Sequence, residues 1–566
     1  MPESFVPSRT TGLLIVLVIM SLWLVNIGHR VLQHPDEGRY AEIAREMAQT
    51  KDWLTPRLNG LKYFEKPPLQ YWLTAATFDA FGASASTARL WPALAGLFGI
   101  AAIATAGYFI GGAALGWSAG LATTGMLWQV ALSQILTLDA MLSALLAIAF
   151  AGFVVAQQNS ASAERRRLAM WIAWAAMAGA TLTKGLVGVV LPAGSLVIYT
   201  LVARDYALWR RLHLFSGLLI YLALAAPWFV MVSRANPEFA QFFFVHEHFA
   251  RFLTTEHRRT GAVWYFVPLL AVGALPWITL LLMNVRRIWR EGLPNALGFS
   301  WPRFALIWAA FVFVFFSASS SKLPSYILPM FPALGLVTGA LLLRLDPRAL
   351  VRAVLPLTVV GVILAVVALV AYPQLSAPFA DDRQPNEALL RFGFFVRSAL
   401  VAAAVGGVVG TWCLRHADAR HRFAGAAALA LSTLLATQTV VAGLDSFGAM
   451  RSAYDILRVA DARVGDNPGL ARTDIPFYQV RMYDQTVAFY LRRTTTLVEF
   501  GDELALGIAA EPRLAVPNVR EWIPLWTALP HGFAIMSPDE YDALTRQGLP
   551  MRLLARDTRR AIVSRR

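Results

Sequence analysis

The first 443 residues of the chain alternate between long apolar stretches and short polar segments. One apolar stretch runs from about Gly12 to Ile27, and a bilayer core of about 30 Å needs about 20 such residues per helix. Because no small-residue cleavage site follows, we interpret this first stretch as a retained anchor. Four more apolar stretches precede Arg165, at about 68–82, 88–110, 113–130 and 139–157.

Arginine clusters at the ends of the apolar stretches predict the orientation of a polytopic α-helical membrane protein. The clusters begin at Arg165, Arg204, Arg286, Arg344 and Arg415, and their alternation places them all in the cytoplasm. The segments left outside are 32–66, 131–139, 234–261, 317–325 and 373–390. An outside start and an inside finish require an odd number of crossings between Lys66 and Arg165, so about 13 transmembrane helices fit best.

The pattern changes after the last apolar stretch, about 423–443. The rest of the chain contains an amphipathic helical pattern in SAYDILRVADARV and strand patterns in TTLVEF and RLAVPNV. We therefore predict a transmembrane domain over 1–443 and a small soluble α/β domain over 444–566 on the outer face. The second domain has no phosphate loop, metal cluster or nucleophile motif, so a lid or docking role is favoured over separate chemistry.

Composition agrees with a membrane protein, since 57% of the 566 residues are hydrophobic and 15% are charged. The net charge of +15 comes mostly from short loops between apolar stretches, where orientation in the membrane explains it, and nucleic acid is not an expected partner. The single cysteine, Cys413, excludes an intramolecular disulfide and a cysteine-rich metal site.

All five lysines of the chain fall on the outer side of this topology, which is the reverse of the usual bias. They are Lys51, Lys62, Lys66, Lys184 and Lys322. We expect a cationic outer cavity that holds an anion, because a compact ammonium group suits a phosphate. The alternative is a set of scattered, solvated lysines.

The first outer segment contains HPDEGRYAEIAREM, in which Asp36, Glu37 and Arg39 follow the first apolar stretch directly. Read alone, it is a solvated exit loop, and the role of Glu37 is ambiguous. Apolar side chains from Tyr40 to Met47 at helical spacing predict an amphipathic helix lying at the membrane interface. Lys66 precedes the Pro67-Pro68 start of the next helix, a place where anions bind readily.

Three further outer segments carry polar side chains. Asp139 heads an apolar helix, where an isolated aspartate is more often an N-cap. FFFVHEHFARFL brings His246 and His248, two residues apart, which is weak evidence for zinc. SSSKLPSYILP brings Lys322 and Tyr326. Two carboxylates and several cations at an interface suggest transfer of a glycosyl group from a lipid phosphate, with acids near the sugar and cations near the phosphate.

These stretches carry a resemblance to a known family. PDEGRYAEIAREM, GLKYFEKPPLQYW, the Asp139 turn, FFFVHEHFARFL and SSSKLPSYILPMFPALG resemble, in this order, the bacterial lipid A 4-amino-4-deoxy-L-arabinose transferases. These belong to the GT-C fold, polyprenyl-phosphate-dependent mannosyltransferase-like superfamily. The resemblance implies transfer of the aminoarabinose from undecaprenyl phosphate to a lipid A phosphate, at the periplasmic face of the Gram-negative inner membrane. The added amine weakens binding of polymyxin and other cationic peptides.

The resemblance also implies roles for single residues. Asp36 and Asp139 match catalytic acidic positions, and Lys66, Arg251 and Tyr326 match the cavity for the donor phosphate. Tyr63, Lys184, Lys322 and Arg39 are further candidates for substrate binding. A divalent ion such as zinc has a place in the superfamily, with Glu65 and His246 as its matching positions, but we expect that no cofactor is required.

Two alternatives remain open. A related enzyme could move mannose or another sugar from a polyprenyl phosphate to a protein or a different lipid, in which case Asp36 would act as a general base. A lipid flippase or transporter would also have many spans, but the sequence shows neither an internal repeat nor charge deep in most spans.

Overall fold

The computed structural model describes residues 5–250, 261–381, 385–465 and 469–565, and only the backbone of 246–250. Up to residue 443 it is built almost entirely from helices, with one short hairpin of β1 (Arg57–Leu58) and β2 (Leu61–Lys62). The helices are α1 (Arg9–Leu24), α2 (Asp36–Thr50), α3 (Leu69–Phe81), α4 (Ala85–Thr124), α5 (Leu127–Ser133), α6 (Leu138–Ala156), α7 (Ala163–Lys184), α8 (Val187–Ala203), α9 (Leu214–Ala235), the π-helix Gln241–Ala250, α10 (Phe266–Gly273), α11 (Ile278–Glu291), α12 (Trp301–Ala318), α13 (Phe331–Arg344), α14 (Pro347–Ser376), α15 (Asn386–Leu414) and α16 (Ala419–Gly443).

Within the described residues, eight helices are long and apolar enough to cross a bilayer, and nine if α10 and α11, bent by 107°, count as one span. Large apolar side chains cover the outside of these helices, as Val360, Ile363 and Val370 do on α14. Extended exposed apolar surface of this kind marks a face that contacts lipid. The prediction of a polytopic helical membrane protein is confirmed.

The apolar stretches 88–110 and 113–130 lie on either side of a break, as the sequence predicted. The non-helical backbone at Gly111 and Gly112 divides α4 into two halves, and the short α5 follows the second half. The two halves pack against each other, since a Cβ at Gly120 would lie 3.3 Å from the side chain of Ala104. Gly112 has φ +76° and ψ −172°, a conformation that essentially only glycine adopts. At the other end, Ser84 and Thr87 form a capping box that fixes where α4 begins.

A mixed α/β unit follows the last long helix. Its helices are α17 (Gly448–Arg451), α18 (Tyr454–Val464), α19 (Gln485–Leu491), α20 (Ala505–Ala510), α21 (Val519–Ala528) and α22 (Pro538–Arg546). Its strands are β3 (Phe477–Val480), β4 (Thr496–Val498), β5 (Ala515–Val516), β6 (Phe533–Met536), β7 (Arg552–Arg556) and β8 (Ala561–Ser564).

The six strands of this C-terminal unit form one sheet in the order β5-β4-β3-β6-β8-β7. The first four are parallel, with Tyr478 of β3 opposite Thr496 and Ala534, and β8 and β7 complete the sheet in antiparallel pairing. Ile456 and Leu457 of α18 pack on one face, and Trp522 and Trp526 of α21 pack on the other. The predicted α/β character is confirmed, and the predicted strands and helix lie in β4, β5 and α18.

Helix α2 forms as predicted, but its polar face is not exposed. Almost every residue of α2 is buried, including Glu42, Arg45 and Glu46, because α3 packs on one side and α19 on the other. A Cβ at Gly38 would lie 2.8 Å from the backbone of Gln485, so glycine is needed for this close approach. The predicted helix is present, and the interpretation of this segment as a solvated exit loop is wrong, since the C-terminal unit covers its charged side chains.

Candidate active site

Glu37 anchors the first outer segment rather than facing a substrate. Each of its carboxylate oxygens accepts a hydrogen bond from Arg89 at 2.7 Å, and Arg30 lies 3.5 Å away. The backbone amides of Leu136 and Gln33 also donate to Glu37, each at 3.1 Å. Burial alone raises the pKa of Glu37, but the two guanidinium groups outweigh it and lower the pKa to about 2. Glu37 thus ties α2 to the turn before α6.

Asp36, the first residue of α2, has a side chain that is 38% exposed. Its Oδ1 lies 3.1 Å from Nη1 of Arg39, and the other terminal nitrogen of Arg39 lies 2.5 Å from Oε2 of Glu503. Glu503 lies in a short 3-10 helix, Asp502–Leu504, just before α20, and accepts a hydrogen bond from the side chain of Gln485 at 2.5 Å. The C-terminal unit therefore contributes a carboxylate to this site, which sequence reasoning missed.

Asp139 lies in the first turn of α6, behind Thr137 at the N-cap position, so the N-cap interpretation is wrong. Its carboxylate forms an ion pair with Lys184, the last residue of α7, and both side chains are largely buried. The Lys184 ammonium also lies 4.7 Å from the centre of the Tyr326 ring. Three predicted site residues from three separate segments are thus in contact.

Three buried tyrosines, Tyr40, Tyr63 and Tyr71, belong to one apolar cluster with Leu138, the neighbour of Asp139. The Tyr40 and Tyr71 rings are 5.9 Å apart, and the hydroxyls of Tyr63 and Tyr71 have no hydrogen-bond partner within the described part of the chain. Burial raises the pKa of the Tyr40 phenol, and the charges of Asp36 and Asp139 raise it further. Both carboxylates therefore act on one phenol, which remains protonated and able to donate a hydrogen bond near neutral pH. Of these three, the sequence had indicated only Tyr63.

Lys66 and Lys322 occupy different surroundings. Lys66 lies just before α3, as predicted, and its ammonium donates to the backbone carbonyl of Glu65 at 2.7 Å. Lys322 is buried and donates to the carbonyls of Ser317 and Ser319 at 2.9 and 2.6 Å, where it satisfies the C-terminal end of α12. Burial lowers the pKa of Lys322.

The five lysines do not gather around one cavity, in contrast to the expectation. Lys51 forms an exposed pair with Asp79 at 2.7 Å, and Lys62 forms a pair with Glu238 at 2.8 Å. Carboxylates neutralise both of these ammonium groups. Lys184 and Arg39 are likewise paired with carboxylates, so their positive charge is offset locally within the candidate site.

Two predicted site residues fall outside the described structure. Arg251 belongs to a segment that is not described, and the side chain of His246 is not described either. Among the side chains that are, no group of three His, Cys, Asp or Glu residues could hold a metal ion. Glu65 has no such set of ligands around it there, so the divalent site at Glu65 and His246 stays a prediction.

An apolar groove of about 490 Å³ opens beside the end of α7, next to Lys184. Helices α7 and α9 and the π-helix form its walls. The lining side chains include Tyr221, Leu222, Phe229, Val230, Phe243 and Phe244. A long apolar chain could therefore lie in this groove with its polar end at the Asp139–Lys184 pair.

Two family models match the chain. The model described as dolichyl-phosphate-mannose-protein mannosyltransferase matches residues 9–243, and the aminoarabinose transferase C-terminal domain matches residues 468–565. The first match includes α2, Asp139 and Lys184, and the second includes Glu503. Both parts of the candidate site therefore lie in matched regions.

Two curated relatives carry the same activity in their names. The undecaprenyl phosphate-alpha-4-amino-4-deoxy-L-arabinose arabinosyl transferase of Shewanella sediminis is 30% identical over 58% of this chain and 58% of its own length. A second transferase of this name, from Sodalis glossinidius, is 31% identical over 71% of this chain and 72% of its own. The chain thus spans less than two thirds of the first relative and more than two thirds of the second.

A solved structure extends the similarity to the whole chain. ArnT from Cupriavidus metallidurans, crystallised with undecaprenyl phosphate, is 37% identical, with a TM-score of 0.90 and coverage of 99% of both chains. Its apo form gives 38% identity and a TM-score of 0.89. The likeness includes the helical part, the C-terminal unit and the contact between them. The chain belongs to the aminoarabinose transferase family.

Proposed function

We propose that this protein transfers 4-amino-4-deoxy-L-arabinose from undecaprenyl phosphate to a lipid A phosphate at the periplasmic face of the Gram-negative inner membrane. One observation carries the proposal: the Asp139–Lys184 ion pair and the ring of Tyr326 meet at the end of α7, where Thr181, Gly185 and Leu186 line a long apolar groove. Membership of the family supports the choice of donor.

In the proposed reaction, an oxygen of the acceptor phosphate forms a bond to C1 of the sugar while the bond from C1 to the donor phosphate oxygen breaks. Undecaprenyl phosphate leaves with the electron pair. Positive charge develops on the sugar and negative charge on the leaving phosphate. The second pKa of a phosphate monoester is about 6, so the acceptor is largely ionised near neutral pH and needs no general base.

The carboxylate of Asp36 is suited to stabilise the sugar. Its side chain is partly exposed, and only Arg39 pairs with it among the described residues. A fixed negative charge close to C1 stabilises an oxocarbenium-like transition state, a contribution worth about 3 kcal/mol for a well-placed group. Asp36 can also orient the acceptor or pair with the 4-amine of the sugar.

The cations are suited to stabilise the leaving group. The ion pair with Asp139 fixes the Lys184 ammonium beside the ring of Tyr326 at the head of the groove. Lys66, just before the N-terminus of α3, is the second cation, and Arg251 remains a predicted third. The undecaprenyl chain lies in the apolar groove between α7 and α9. No cofactor is proposed, because an ionised phosphate does not need a metal to activate it.

The arginine pattern and the helix lengths support a topology of about 13 spans with the site on the periplasmic side. Helix α3 has 13 residues and is about 20 Å long, too short for a bilayer core of about 30 Å. We assign α3 as the apolar stretch that does not cross. We count the two halves of α4 as two spans. The remaining spans beyond those with clear length and composition are α1, α7 and α8.

The function is tested by mass spectrometry of lipid A from cells that lack their own aminoarabinose transferase and express this chain. We expect a mass increment of one aminopentose. Because no metal is proposed, isolated membranes assayed with a chelator should give the same increment. The Asp36→Asn variant should lose about 100-fold in rate, because one electrostatic contribution of about 3 kcal/mol disappears. Asp79→Asn, a carboxylate in an exposed pair on α3, is the matched control and should keep its activity.

Unmodified lipid A in cells with the wild-type chain at normal expression contradicts the proposed function. A new mass increment on a protein or on another lipid points to a different acceptor. Transfer by Asp36→Asn at the wild-type rate removes Asp36 from the mechanism but leaves the overall reaction in place.

A further inference from the structure

Glu503 belongs to the C-terminal unit, yet it lies against Arg39 of the first outer segment. We propose that Glu503 is a positioning residue for the transfer reaction: it holds Arg39 and so leaves the charge of Asp36 available to the sugar. The inference rests on the proposed function, in which Asp36 stabilises the transition state. It gives the C-terminal unit a defined task in the site.

The geometry around Arg39 is unequal. The guanidinium lies 2.5 Å from Glu503 and 3.1 Å from Asp36. The Arg39 and Glu503 side chains are 7% and 10% exposed, whereas that of Asp36 is 38% exposed. The closer and more deeply buried pair therefore fixes Arg39, and Asp36 receives a single lateral contact while part of its carboxylate stays accessible.

The charges of Arg39, Asp36 and Glu503 explain how Glu503 affects the carboxylate of Asp36. One guanidinium between two carboxylates leaves a net negative charge, and the accessible part of it is on Asp36. Without Glu503, the full charge of a buried guanidinium would be directed at Asp36 and would neutralise it. A neutralised carboxylate stabilises positive charge on the sugar much less.

Neighbouring groups preserve this arrangement. Burial raises the pKa of the Glu503 carboxyl, while the Arg39 guanidinium and the hydrogen bond from Gln485 act in the opposite direction and favour its ionised form. Burial raises the pKa of the nearby Tyr63 phenol, so this phenol remains neutral. It would therefore not supply a negative charge to Arg39 in place of Glu503. The described residues around Arg39 contain no other carboxylate in an ion pair with it.

The contact between the two parts of the chain does not depend on Glu503 alone. Arg57 of β1 pairs with Glu511 at 2.9 Å, and Asn59 exchanges hydrogen bonds with Thr495 at 2.7 Å. Glu511 thus docks the C-terminal unit in the way that Glu503 does, but without contact to Arg39. It provides a control that separates docking from positioning.

The test compares kcat and KM for the donor in purified full-length Glu503→Gln, Glu503→Asp and Glu511→Gln variants. We expect Glu503→Gln to lower kcat about 10- to 100-fold with KM changed less than about threefold, because the loss concerns the transition state. Glu503→Asp should recover part of this loss, since it restores the charge. Glu511→Gln should stay within about twofold of wild type.

A double-mutant cycle with Asp36→Asn completes the test. If Glu503 acts through Asp36, adding Glu503→Gln to Asp36→Asn lowers kcat by less than about twofold. Equal losses in Glu503→Gln and Glu511→Gln, or multiplicative losses in the double variant, overturn the positioning role. A fully active Asp36→Asn variant instead overturns the proposed role of Asp36, so the two failures are distinguishable.

Discussion

Asp36 and Glu37 are neighbours in sequence with opposite surroundings. The Glu37 side chain is 3% exposed between two arginines, while that of Asp36 is 38% exposed. Because a buried carboxylate with two cations cannot approach a substrate, only Asp36 is available for chemistry. One step along the start of a helix separates an anchoring group from a candidate catalytic group.

The anchoring role predicts a large effect of Glu37→Gln on stability. The free energy of unfolding should fall by about 3 kcal/mol, because Arg30 and Arg89 would be left as buried charges with a neutral partner. Glu387→Gln, which removes an exposed pair with Arg391, should change it by less than about 0.5 kcal/mol. Thermal unfolding of both variants in detergent measures the difference.

The pH dependence of this difference follows from the pKa of Glu37, which the fold lowers from 4.5 to about 2. A lowered folded-state pKa gives stability that is fully present above the unfolded value and is lost as pH falls through the folded one. The gap between wild type and Glu37→Gln should therefore be constant above about pH 5 and shrink from there towards pH 2. A gap that does not change with pH would exclude the ion pairs as its cause.

Some residues of the candidate site could be predicted from the sequence, and others could not. Asp139, Lys184 and Tyr326 were predicted from three separate segments, and the structure brings them into contact. Glu503 lies in an ordinary polar turn, FGDELALG, and nothing in that turn indicates a partner in the first loop. Such a pairing depends on tertiary contact, which local patterns do not encode.

At the scale of elements, the break in α4 shows how backbone conformation decides what apolar periodicity leaves open. Apolar stretches on both sides of Gly111 and Gly112 predicted two helices, and the structure has two helical halves that the glycine pair joins and that pack against each other. Periodicity reports which faces are apolar, not how two segments are joined. The glycine pair itself was the local signal of the interruption.

Gly112→Ala should therefore destabilise the protein. A Cβ there meets no atom within 4 Å, so the whole effect comes from the backbone at φ +76°, with an expected loss of about 1–3 kcal/mol. Gly361→Ala in α14 is the matched control, because its Cβ also meets nothing and its backbone is helical; no loss is expected. A lower unfolding temperature for Gly112→Ala alone confirms the interpretation, and equal temperatures contradict it.

Helix α2 shows the limit of amphipathic patterns. The spacing of its apolar side chains predicted the helix correctly, whereas its charges, read alone, suggested a solvated loop. Its polar face is buried because charged side chains pair within it, as Glu42 does with Arg45 at 2.5 Å. Polar composition therefore indicated exposure wrongly, since a second unit of the same chain covers the helix.

At the scale of the whole molecule, the proposed topology places the C-terminal unit and the arginine-rich turns on opposite sides. In a Cys413→Ala background, Arg492→Cys should react with a membrane-impermeant maleimide added from the periplasm. Arg165→Cys should react only after the inner membrane is opened. Both positions are exposed in the structure, so access to the reagent depends on the side alone. Labelling of both from the same side would overturn the topology.

The order of the chain adds a consequence for biosynthesis. Arg39 emerges from the ribosome near the beginning of synthesis and Glu503 near its end, and Asn59 meets Thr495 across 436 positions. Of the two carboxylates in ion pairs with Arg39 in the described structure, Asp36 is made early and Glu503 is made last. If Glu503 positions Arg39 as proposed, a nascent or prematurely terminated chain would have Asp36 neutralised by Arg39. Such a chain would transfer the sugar more slowly than the full-length protein. Full activity is then expected only after the C-terminal unit has been made and has folded onto the first outer segment.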